Sequence, residues 1–209
     1  MDAKDSVTKE LKEHLIHCEE AMHTSTQIVN KHNFPTDNRT RTVIGFISVL
    51  VQHQESIMLL VIHGNPHSAS ALVRPVVEGA FRALWINRPA TDAEVMKFNE
   101  KDKIDLTFGE IGKAVDTAYG GQGMFESFKN LAWNGLNSLT HGGMHQIGRC
   151  FVEQEGANSY SEEDLLEITT LVTVIVLLAI VLFLEKHGHS SSVNQIQSLV
   201  RSFDRPPTS

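Results

Sequence analysis

Cysteine is scarce in this 209-residue chain: Cys18 and Cys150 stand alone, in unrelated contexts and without a CxxC partner. That excludes a disulfide framework or a thiolate zinc site, and reduced thiols in a cytoplasmic protein are the simplest expectation. Positive charge is also short. The 18 Lys and Arg against 25 Asp and Glu leave a net charge of -7, which excludes the broad basic face that non-specific duplex binding requires. A local basic pocket remains compatible with it. The opening MDAKDSVTKELKEHL has no apolar h-region, so no signal peptide is expected. No GxxxxGK[ST] loop and no GxSxG elbow occurs, and Gly120-Gly121-Gln122-Gly123 does not follow a strand, which argues against nucleotide-fold enzymes. Strand signals are nearly absent, as are internal repeats, low-complexity blocks and domain boundaries.

Apolar residues at helical spacing fill most of the chain. The pattern predicts one all-α domain over residues 1–209, a bundle of about seven to eight helices with a flexible tail at 204–209. Helices are expected from about Ser6 to Lys31, capped by Asp5 or Ser6, from Thr40 to Ile62, and from His67 to Ile86. The short Gly64-Asn65-Pro66 link makes the last two antiparallel neighbours. Further helices are expected from Asp92 through Lys103, from Ile104 to Tyr119, from Phe125 to His141, from Ser161 to Lys186 and from Val193 to Phe203. Gly120-Gly121-Gln122-Gly123 reads as the most flexible stretch in the middle, and 148–159 as an irregular loop. The run Leu171–Leu184 is apolar all round. Its polar flanks come too soon for a bilayer span of about 17–25 residues, and no Lys/Arg cluster orients it. It is expected to be the central core helix, with no membrane as partner.

Two stretches carry candidate chemistry. Arg74, Glu78 and Arg82 recur at i, i+4, i+8 on one helix face, among dense apolar neighbours and with Pro75 inside the helix. A proline there frees a carbonyl one turn back. The triad is read as an anion-binding ladder with Glu78 orienting the guanidiniums. The competing reading is an exposed salt-bridge series worth about 0.3–0.5 kcal/mol per pair. In the second stretch, Asn130, Asn134, Asn137 and His141 fall on one line of a helix that Gly142 and Gly143 stop, opposite Phe125, Phe128, Ala132, Leu136 and Leu139. Amides are poor helix formers, so a stripe of them points to a polar site; a partly exposed surface is the plain alternative. His141 and His145, with Arg149 beyond, are spaced like a metal pair, but the glycines break the helix between them and no HExxH pattern exists. No metal and no cofactor is expected.

LVRPVVEGAFRALWI and WNGLNSLTHGGMHQIGR together resemble a family of small bacterial all-helical proteins with R-P-x2-E-x3-R-x-L-W and L-N-x2-T-H-G-G segments and no settled activity. More distantly, a His closing a helix of a small bundle is similar to the HEPN superfamily, many of whose members are metal-independent ribonucleases in toxin–antitoxin or phage-defence systems. Where those enzymes place an arginine ahead of the His, this chain has Asn134, so Arg82 or Arg149 has to approach His141 from elsewhere. The resemblance implies His141, Asn137 and Arg82 as catalytic groups: a base for the 2′-hydroxyl proton, a positioning amide, and a cation for the phosphorane oxygens. Arg74, Glu78, Asn134, His145 and Arg149 are the accompanying binding residues. RNA or a nucleotide, a second copy of the chain and a partner protein are the partners in view. The alternatives are a non-catalytic module for a nucleotide or small anion, and an interaction protein in which these polar groups only knit the core.

Overall fold

The computed structural model describes residues 8–141, 143–147 and 160–204. Among them the chain is all-helical, without a strand: α1 (Lys9–Val29), α2 (Asn38–Ile62), α3 (Pro66–Asn87), α4 (Asp92–Lys101), α5 (Phe108–Tyr119), α6 (Met124–Thr140), α7 (Met144–Ile147), α8 (Glu162–Lys186) and α9 (Ser190–Ser202). The helix beyond the expected set is α7, a single turn. The expected loop at 148–159 and the end of the tail, 205–209, lie outside the described residues.

Side-chain caps set most of the starts. Thr8, not Asp5 or Ser6, caps α1 by accepting from the Leu11 amide, and Asp37 does the same for α2 through the Thr40 amide. Thr91 with Glu94, Thr107 with Glu110 and Ser161 with Asp164 form reciprocal capping boxes. A left-handed residue and one of these boxes account for two departures from the expected bounds. Asp102 adopts a left-handed conformation (φ 49°) and ends α4 at Lys101, and the Thr107 box delays α5 to Phe108 although apolar spacing begins at Ile104.

The apolar run of α8 is the centre of the bundle, with α1, α2, α3 and α9 packed around it. Val172, Val176, Leu177, Ile180, Phe183 and Leu184 are sealed from solvent, each such side chain worth about 1.5–3 kcal/mol of burial. Both α2 and α8 are long and apolar enough to cross a membrane. Inside, Gln54 Nε2 donates to Thr173 Oγ1 (3.1 Å), whose hydroxyl donates to the Thr169 carbonyl (2.8 Å), while Gln54 Oε1 is buried with no donor among the described residues. Cys18 faces the same interior, where burial pushes its thiol up to about 11.

Helix α3 is wedged between two groups of helices. It meets α2 and α8 on one side and α5 and α6 on the other. Its carboxyl end is anchored by cations: Arg39 donates to the Ile86 carbonyl and Lys186 to that of Asn87. The glycine-rich link from α5 to α6 is a shaped turn. Gly123 offers no side chain at the N-cap of α6, and Asp116 of α5 caps it instead, accepting from the Phe125 (2.9 Å) and Glu126 (3.1 Å) amides. A Cβ at Gly121 would lie 2.6 Å from the Asp116 carboxylate, so only glycine passes there.

Candidate functional site

The site begins with a missing N–H. Pro75 sits inside α3 and leaves the Ala71 carbonyl without its helical donor. Thr140, the last residue of α6, reaches across to it: its hydroxyl lies 3.2 Å from Ala71 O and 2.9 Å from Leu136 O, sharing its proton between them. The end of α6 is thereby held at the proline notch. His141 follows as the C-cap of α6, its amide bonded to Asn137 O (3.0 Å), and the Gly143 amide bonds back to Ser138 O (2.7 Å). Gly143 passes so close that a Cβ would stand 2.9 Å from Ser138 Cα and 2.4 Å from Ser138 Oγ. Gly142 lies outside the described residues.

This docking sets His141 against Arg74. Arg74 Nη1 and His141 Nε2 are in hydrogen-bond contact. A guanidinium has only donors, so Nε2 is the acceptor in this pairing. The guanidinium is steadied from two further sides. It lies over the Trp133 ring at 4.8 Å, and its Nη2 is 3.5 Å from Glu78. Trp133 is also stacked by Phe108 (4.0 Å, 14°), so the indole packs against both an arginine and a phenylalanine. The Arg74 side chain is 19% exposed, whereas His141 is open to solvent.

The remaining expected residues fall around this pair at different distances. Asn137 stands one helical turn before His141, with its Oδ1 buried and no described group donating to it. Asn134, a further turn back, is exposed, as is Asn130. Arg82 is two turns beyond Arg74 on α3, about 12 Å along the axis; it is tied to Glu78 at 3.9 Å and makes no contact with His141. Glu78 and Arg82 form the wall between two clefts. One, of about 230 Å³, opens toward the α4–α5 connection; the other, of about 220 Å³, opens toward Phe46 and His53 of α2. His145 is in α7, its side chain outside the described part, and Arg149 is outside it altogether.

The guanidinium that meets the imidazole is thus that of Arg74, which the sequence reading placed among the binding groups. Trp133 and Thr140 were not singled out. Thr140 carried a signal, since the carbonyl freed by Pro75 needs a donor and a hydroxyl adjoins the histidine. Trp133 carried none, because its contacts with Arg74 and Phe108 form only when α3, α5 and α6 meet. Among the described residues no cluster of three or more His, Cys, Asp or Glu side chains is placed to hold a metal ion.

What the arrangement can do follows from its parts. A fixed guanidinium supplies donors for an oxyanion, a solvent-facing imidazole can take a proton, and a buried amide sits one turn away. Compared with known proteins, residues 47–205 match the model of a family of unknown function (DUF6988). No curated protein and no solved structure matches the chain.

Proposed function

The chain belongs to the DUF6988 family, and we propose that its Arg74–His141 junction is the centre of a metal-independent, HEPN-like ribonuclease, such as the toxin of a toxin–antitoxin or defence system. The observation that carries the reading is the direct contact of the two side chains across α3 and α6. In the resting pair Arg74 occupies the Nε2 lone pair. An RNA phosphate turns the guanidinium donors toward its non-bridging oxygens and frees Nε2. The imidazole then removes the 2′-hydroxyl proton, the 2′-oxygen attacks phosphorus, the 5′-oxygen leaves and takes a proton from water, and the imidazolium returns its proton to the hydroxide that remains. The products are a 2′,3′-cyclic phosphate and a 5′-hydroxyl. Asn137 positions the imidazole or the phosphate. Exposed Met144, Ile147 and Ile16 offer apolar surface on which a second copy can pack, and the same reading takes the protein as a cytoplasmic homodimer.

The test is cleavage of end-labelled RNA in chelator. The wild type should yield cyclic-phosphate ends and leave DNA of the same sequence intact. His141→Ala and Arg74→Gln, checked for folding by circular dichroism, should each lower the rate by about 10²–10⁴-fold. A folded His141→Ala protein that cuts as fast as the parent removes the proposal. Anion binding without chemistry is a second reading with its own support: the Nε atoms of Arg74 and Arg82 are buried and unpaired among the described residues, and Glu78 holds both guanidiniums only at 3.5 and 3.9 Å. Tight RNA binding without any product would favour it.

A further inference from the structure

We propose that the cleft of about 230 Å³ beside Arg82 is a nucleobase pocket that selects guanine, adjoining the phosphate position at Arg74. The inference rests on reading Arg74–His141 as a phosphate site and adds to it the base that the site prefers.

The charge of the cleft narrows the class of ligand. Two cations, Arg82 and Lys103, and two carboxylates, Glu78 and Asp102, line it. A balanced lining offers an anion no net attraction, but it suits a neutral group that carries donors and acceptors together. Phe98 and Phe108 add aromatic surface to the same cleft. A planar heterocycle meets both conditions, since every base has a face that stacks on an aromatic ring.

Two links join this cleft to the Arg74–His141 junction. Phe108 lines the cleft and also stacks on Trp133, over which the Arg74 guanidinium lies. Glu78 is the second link. Arg74 and Arg82 approach the same Oε1, at 3.5 and 3.9 Å, so their guanidiniums lie within about 7 Å of each other. One nucleotide bridges that interval, with its sugar between a base at Arg82 and a phosphate at Arg74.

The pairing of Glu78 with Arg82 then chooses among the bases. Both arginines stand farther from the carboxylate than the ~2.7–2.9 Å of a charge-assisted hydrogen bond, so it keeps acceptor capacity for a ligand. The Nε of Arg82 is buried and has no partner among the described residues. On its Watson–Crick edge guanine carries two donors side by side, N1–H and N2–H, followed by the O6 acceptor. A carboxylate accepts from the first two and the neighbouring guanidinium donates to the third. Adenine, cytosine and uracil have no such pair of adjacent donors.

The experiment is isothermal titration calorimetry of the full chain with guanosine, inosine and adenosine 3′,5′-bisphosphates and with inorganic phosphate. The guanosine compound should bind the wild type about tenfold more tightly than the adenosine compound, as expected for one bidentate base contact. Inosine, which lacks the N2 donor, should fall between them. Glu78→Gln should erase most of the guanosine-to-adenosine ratio, whereas a merely structural role for Glu78 would weaken every ligand alike and leave the ratio unchanged. Phe98→Ala, far from His141 in the chain, should weaken all three nucleotides about tenfold through lost stacking and leave inorganic phosphate unaffected; it serves if Glu78→Gln does not fold. Equal affinity of the wild type for the guanosine and adenosine compounds, with phosphate still bound, overturns the guanine pocket and leaves Arg74–His141 standing. A wild type that binds none of the four overturns the phosphate reading as well.

Discussion

Two regions of this molecule use histidine in opposite ways. At the α3–α6 junction a single imidazole, His141, faces a guanidinium, with solvent on its open side. At the turn between α8 and α9, imidazoles face rings. His32 stacks on His189 (3.8 Å, 23°), His187 packs edge-on against Phe34 (5.4 Å) and Phe183 (4.7 Å), and His32 Nε2 lies 2.8 Å from Ser192 Oγ. Burial, then Lys186 and His189, hold His187 below the ordinary histidine value, and burial, then His32, does the same for His189. At the far end of α9, His17 pairs with Ser202 (2.8 Å) and lies 4.6 Å from Phe203. The second set of histidines therefore lashes α9 to the α1 side as packing groups. The first is held out from the fold by backbone devices, the proline notch and the glycine turn. A histidine among aromatic rings has a structural use; one kept clear of them, against a fixed cation, is available for chemistry.

The comparison can be broken from either side. The largest effect is expected at Gly143, where Gly143→Ala forces a Cβ into Ser138 and should destabilise the protein by about 1–3 kcal/mol. Urea denaturation measures it, and a variant as stable as the parent would mean that the turn yields easily and does not hold His141 in place. A smaller loss, about 1 kcal/mol, is expected for Thr140→Val, which removes the donor to Ala71 O without changing side-chain volume much. If the proline notch sets the register of α6, this variant should also weaken oligonucleotide binding with Arg74 and His141 both intact. Unaltered binding would show that the helix contacts alone suffice.

The smallest effect belongs to the ring cluster. His187 and His189 have folded values below their unfolded one of about 6.5, so the unfolded chain binds more protons as pH falls through that value. Their contribution to stability is complete above about pH 6.5 and is lost as pH drops toward the depressed folded values. His189→Phe should therefore flatten the decline of the urea midpoint between about pH 7 and pH 5, with RNA binding unaffected. An equally steep decline in the variant would place the acid sensitivity elsewhere, with His14, also held low by burial and by His17, as the next candidate.

Much of the fold was legible because it is local. Apolar spacing located the long helices, and the run Leu171–Leu184 announced the central apolar helix, although Leu171, Val174, Ile175, Leu178 and Leu182 form a face that is only half-buried. Ends were harder to place. Thr8, Asp102 and Thr107 moved them by a few residues, because caps and a left-handed residue override apolar periodicity at a terminus. Of the candidate site, the participation of α3 and of the end of α6 was readable from their charges, amides and glycines. Which arginine would meet His141 was not: Arg74 and Arg82 share a face, and periodicity alone does not distinguish one turn of a helix from another two turns away.

The amino-acid sequence by itself determined the helices, their caps and the stop before Gly143, since each depends on hydrogen bonds and side chains within a few residues. Only the tertiary structure decided that Arg74 faces His141, 67 residues away. That choice depends on where α6 comes to rest along α3, set by Thr140 finding the one carbonyl that Pro75 leaves free and by Trp133 packing against Arg74 and Phe108. Contacts between distant turns are selected by packing, and no local pattern encodes them.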